Sequence, residues 1–120
     1  MDQSVKDNFE KAGFDVAGAV RRFAGNEALY EKYIFKFIDD KIYGNLAKAV
    51  GEGNIEGVFN EAHTLKGVSG NLGLNPLFNP VSALVAATRE EKSQVDINAL
   101  FAAVEAGYNA VITVLNANKP

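Results

Sequence analysis

The sequence predicts an all-α fold: an antiparallel up-down-up-down four-helix bundle with a short extra helix at the amino terminus. Three observations carry that prediction. Apolar residues recur at three-to-four spacing almost everywhere, no segment alternates apolar and polar side chains for long, and only three prolines occur. At 120 residues the chain is sized for one core, so residues 1–120 are read as a single domain.

Each helix has its own signals. Asp15 can cap a short first helix that turns Val16, Ala19, Val20 and Phe23 inward and stops at Gly25. Asn26 can cap a long second helix with an apolar stripe through Leu29, Tyr33, Phe37, Ile42, Leu46 and Val50, closed by the Gly51-Glu52-Gly53 break. Asn54 caps a third. Beyond it, Pro76 suits a first helical turn, but Pro80 would lose a backbone bond and clash with the carbonyl of Pro76 if that helix were already running. A turn at 75–79 is therefore expected, with Asn79 capping a helix that starts at Pro80 and buries Val81, Leu84 and Thr88. Asp96 opens the last helix, of about 20 residues, whose stripe is Ile97, Leu100, Phe101, Val104, Tyr108, Val111, Ile112 and Leu115.

Composition removes several functions. A net charge of -3 and a pI near 5.1 argue against a nucleic-acid footprint, which needs clustered Lys and Arg; Arg21-Arg22 is an isolated pair. Without cysteine there is neither a disulfide framework nor a thiolate metal site. The amino terminus lacks the pattern of a signal peptide, and no run approaches the roughly 18 consecutive apolar residues of a membrane span. We expect a cytoplasmic monomer that binds no membrane.

The third helix carries His63, the only histidine. At about 100° per residue its inward seam is Ile55, Val58, Ala62, Leu65, Ser69 and Leu72, and His63 lies beside that seam. From His63, Gly67 is rotated by about 40°, Gly70 by about 20° the other way, and Lys66 by about 60°. Each interior glycine costs about 1 kcal/mol relative to alanine, so the pair forgoes roughly 2 kcal/mol of helix propensity. Glycines can let helices pack closely, but that would require both to face inward. The seam leaves them to one side, and we read them as clearing His63 for a docking protein.

One histidine limits the chemistry. Zinc and iron sites need three or four ligands, and no second histidine or cysteine is available. A hydrolytic triad needs an activated hydroxyl or thiol beside the histidine, and Thr64 and Ser69 point about 100° or more away. Imidazole can itself be a nucleophile and covalent carrier, with an ordinary pKa near about 6.5. Phosphoryl transfer then asks for in-line approach and a nearby positive charge, which the cleared face and Lys66 can provide.

The run Ala62-His63-Thr64-Leu65-Lys66-Gly67, followed by Ser69, Leu72 and Gly73, resembles the signature of histidine-containing phosphotransfer (HPt) domains of bacterial two-component phosphorelays. Phe14-Asp15-Val16, Arg22-Phe23-Ala24-Gly25-Asn26 and the long helix after them also resemble such domains. The resemblance implies that His63, through Nε2, takes a phosphoryl group from the aspartyl phosphate of a response-regulator receiver domain and passes it to another receiver aspartate. It implies a phosphocarrier and not a turnover enzyme. Lys66 would steady the phosphoryl oxygens, and Gly67 and Gly70 would leave room for the receiver. The chain would need no cofactor of its own, because Mg²⁺ is expected on the receiver. Partners would be receiver domains and a hybrid sensor histidine kinase.

Such domains also dock through an apolar patch, for which Phe59, about 40° from His63, is the candidate; it could equally be a flank of the core. Many members carry Gln or Glu on the next helix where this chain has Val85, and Ser82 could take that role if the register shifts. Two alternatives stay open: a non-phosphorylated helical-bundle adaptor that binds receiver or kinase partners, and the phosphoaccepting domain of a chemotaxis kinase.

Overall fold

Local caps decide where the helices begin. The computed structural model describes residues 1–90 and 94–120, with Val95 known by its backbone alone. Its helices are α1 (Gln3–Lys11), α2 (Val16–Arg22), α3 (Glu27–Lys36), α4 (Ile42–Gly51), α5 (Ile55–Asn71), α6 (Asn75–Arg89) and α7 (Gln94–Asn118), with a 3₁₀ turn at Phe37–Asp39. The side chains of Asp15, Asn26 and Asn54 accept the N–H of Gly18, Leu29 and Gly57, each at 3.0 Å, so the three expected caps are in place.

Helices α4 to α7 form the four-helix bundle. Helix α5 packs on α4 and α6, α7 packs on α6 and α4, and α1 lies against α2 and α7. Their centre holds Leu46, Val58, Leu65, Leu77, Leu84, Ile97, Val104, Val111 and Leu115, all fully buried. By length and composition α7 could cross a membrane, but this stripe of it, from Ile97 to Leu115, is part of the bundle core.

Four elements differ from the sequence reading. Helix α1 was not anticipated, because Phe9 is its only buried residue; it is held by neighbouring rings, with centroids 5.1 Å from Phe14 and 6.0 Å from Phe35. The long second helix is broken into α3, the 3₁₀ turn and α4. Asp40 marks the break: its Oδ1 accepts the Ile42 N–H at 2.7 Å and restarts the chain as α4. The stripe rotates accordingly. Tyr30, Ile34 and Phe37 face inward, while Leu29 and Tyr33 are 37% and 42% exposed.

The turn at 75–79 does not exist. Helix α6 runs from Asn75 through Pro80 to Arg89, and Asn79 is an exposed residue within it. Pro80 removes the helical donor for the Pro76 carbonyl, which instead faces Gly107 of α7, where an added Cβ would collide with that oxygen. The glycine lets the two helices close on the freed carbonyl. Finally, α7 begins at Gln94, which puts Asp96 in the first turn and not at the cap; the residues just before Gln94 lie outside those described.

Candidate functional site

Helix α5 is oriented by its seam. Val58, Ala62, Leu65, Ser69 and Leu72 are buried and Ile55 is half-buried, which turns His63 out to solvent. Ser69 tolerates full burial because its hydroxyl donates to the Lys66 carbonyl at 3.2 Å.

The carboxyl end of this helix is anchored from outside the bundle. Gly73 has φ +68°, and an added Cβ would stand 2.5 Å from the Asp15 carbonyl oxygen, so only glycine fits that approach. The Asp15 N–H donates to the Gly73 carbonyl at 2.9 Å, and Arg22 Nε donates to the Asn71 carbonyl at 3.1 Å. Helix α2 thereby ties down the last turn after His63.

His63 stands at a shallow depression of about 260 Å³ lined by Lys66, Gly67, Gly70, Asn71 and Phe78. No hydrogen bond reaches its ring from the described residues; its neighbour is Phe59, one turn earlier, with ring centroids 5.8 Å apart and planes at 17°. Lys66 is half-buried and makes no ion pair with the described residues, so its ammonium is available to an anion. At Gly67 an added Cβ would meet nothing within 4 Å.

Gly70 is a different case. A Cβ there would lie 3.1 Å and 3.3 Å from two atoms of the Phe78 ring, so this glycine admits Phe78 of α6 against α5. It is the close-packing role that the sequence reading set aside, and the clearance it creates is filled by the protein itself. Val85 is 1% exposed and points into the core. Because α6 runs unbroken, no register shift brings Ser82 to its place; the Ser82 hydroxyl donates to the Phe78 carbonyl at 2.7 Å. Neither supports His63.

Three neighbours were missed. Phe78 fell in a segment read as a turn, Asn71 lies at the helix end, and Arg89 closes α6 with its guanidinium 5.8 Å over the Phe59 ring. A continuous helix 75–89 would have revealed two of them, since Phe78, Ser82, Val85 and Arg89 step by three and four along one side. A larger groove of about 450 Å³, lined chiefly by Phe23, Tyr33, Phe37, Val68 and Leu72, meets the histidine depression at Asn71. The described residues gather no set of three His, Asp or Glu able to hold a metal ion.

Residues 40–113, well over half of the chain, match the family model of the Hpt domain. The chain belongs to the Hpt domain family. Hpt domains perform histidine phosphotransfer in phosphorelays, as carrier modules and not as enzymes, and they interact with receiver domains and kinases. Their fold is a four-helix bundle, which is the arrangement of α4 to α7 here. The Hpt match takes in all of α5, and with it His63, Lys66, Gly67 and Gly70. No curated protein and no solved structure matches the chain.

Proposed function

We propose that this Hpt domain is a phosphorelay intermediate that accepts a phosphoryl group on His63 from the aspartyl phosphate of a receiver and passes it to an aspartate of another receiver. One observation carries the proposal: the single histidine is exposed, free of hydrogen bonds from the described residues, and shares its depression with an unobstructed glycine and a lysine that makes no ion pair with the described residues.

The Nε2 lone pair attacks phosphorus in line, the bond from phosphorus to the aspartyl oxygen breaks, and the aspartate leaves as a carboxylate. The imidazole keeps its proton on Nδ1. Lys66, one turn along α5, meets the charge spread over the phosphoryl oxygens. Gly67 leaves the receiver's surface room to approach. Mg²⁺ prefers oxygen donors to an imidazole or an ammonium, and on this reading the receiver would hold it. The return step is the reverse displacement, with the histidine as leaving group.

Mixing the protein with phosphorylated receiver and measuring intact mass before and after mild acid tests this. One acid-labile phosphoryl group is expected on the wild type and none on His63→Gln. No gain on the wild type, with binding retained, would make the domain an adaptor; an equal gain on His63→Gln would place the phosphoryl group elsewhere.

A further inference from the structure

Helix α6 offers His63 no hydrogen bond, since Val85 is in the core and Ser82 donates to its own helix. The ring nevertheless has a companion. Phe59 and His63 form an offset stack, at a separation within the roughly 4.5–7 Å of favourable aromatic pairs. Phe59 is itself held, because it is half-buried against the core cluster and lies under the Arg89 guanidinium. Arg89 makes no ion pair with the described residues, and its guanidinium faces the Phe59 ring.

We infer that Phe59 is a positioning residue for His63 and that Arg89 keeps Phe59 in place, so that the imidazole is oriented by stacking and not by a hydrogen bond. The i, i+4 spacing on α5 sets the two rings one above the other. Such a contact restricts rotation of the imidazole yet leaves both ring nitrogens open, and it is not broken when Nε2 gains or loses a phosphoryl group. Holding the nucleophile near its attack geometry acts on the transfer step, whereas a docking contact acts on affinity. The kinetic part rests on the phosphorelay reading; the geometric part stands without it.

The test combines nuclear magnetic resonance of the His63 ring protons with single-turnover phosphorylation, on the wild type, Phe59→Leu, Phe59→Tyr and Arg89→Gln. The wild-type ring protons should be displaced from free-histidine positions by the Phe59 ring current. Tyrosine should preserve that displacement, leucine abolish it, and Arg89→Gln reduce it. Phe59→Leu should lower the saturating rate from phosphorylated receiver about threefold to tenfold, the cost of ordering one side chain again at each transfer. The half-saturating concentration should hold, and the rate from phosphoramidate, a small donor that docks on no surface, should fall by the same factor. Phe59→Tyr should restore both. Undisplaced wild-type resonances would overturn the inference, as would a Phe59→Leu defect confined to half-saturation with phosphoramidate labelling intact. If neither donor labels the wild type, the phosphorelay reading fails, and the ring-current comparison alone decides the positioning.

Discussion

Replacing Gly67 by alanine should make this protein more stable and a poorer partner for receivers at the same time. The position lies inside α5, and an added Cβ has nothing within 4 Å, so the change removes the helix cost of glycine without creating a clash. That cost is about 0.8–1 kcal/mol. At about 2.1 cal/mol/K per residue, 120 residues give an unfolding entropy of about 0.25 kcal/mol/K, so the midpoint should rise by about 3–4 °C. Thermal unfolding followed by circular dichroism reads it directly. If the proposed function holds, the outward side chain stands in the path of the receiver, and poor fit of this kind costs about 1–3 kcal/mol, or roughly fivefold to hundredfold in transfer. Alanine should fall at the low end and Gly67→Gln at the high end, with phosphoramidate labelling untouched. A lower midpoint for Gly67→Ala would refute the open space, and unimpaired receiver transfer in Gly67→Gln would refute the clearance role. Gly70→Ala is the internal contrast: its methyl must displace the Phe78 ring, so its midpoint should rise less than that of Gly67→Ala, or fall.

Other consequences are equally measurable. Gly107→Ala sets a methyl against the Pro76 carbonyl, backbone against backbone, and should lower stability by about 1–3 kcal/mol; an unchanged urea midpoint would refute the close approach. Val85→Gln buries an amide with no partner, at about 1–3 kcal/mol, and should not speed transfer; a faster variant would show that position 85 reaches the histidine after all. Burial, with the Glu105 carboxylate adding to it, pushes the Tyr43 phenol up to about 12, whereas in the unfolded chain it ionises near 10. The unfolded chain therefore releases its proton first, so stability is full below pH about 10 and falls as pH rises toward 12. Urea midpoints at pH about 9 and about 11 should show this loss reduced in Tyr43→Phe, and an identical loss in both proteins would refute it.

Local chemistry was legible in the sequence, and tertiary choices were not. Asp15, Asn26 and Asn54 cap their helices because a capping oxygen reaches only three residues along its own chain. The α5 seam was equally readable, and with it the exposure of His63. Between Asn26 and Val50, however, two stripes overlap: Leu29 and Tyr33 fit helical spacing as well as Tyr30, Ile34 and Phe37 do. Packing selects the second, and no glycine or proline announces the break at Asp40. Pro80 misled for a similar reason, since the rule that proline ends helices is local and the accommodation at Gly107 comes from another helix. The contact of Gly70 with the Phe78 ring is not legible from α5 alone, because the side chain that uses its empty space belongs to another helix.

The tie between α2 and the end of α5 separates what is recognisable in this chain from what holds it together. The matched residues begin at Asp40, yet Gly73 and Asn71 are fastened to Asp15 and Arg22, and Phe9, Phe14, Val16, Ala19, Tyr30, Ile34 and Phe37 lie in the same core cluster. A fragment trimmed to 40–113 would retain His63 and its neighbours while releasing the clamp one turn beyond Gly70. Its amide hydrogens near Gly70, Asn71 and Leu72 would exchange through local opening at a fraction of the global unfolding free energy. His63 would then sit on a fraying helix, and residues far from its ring would set how long the surface around it persists.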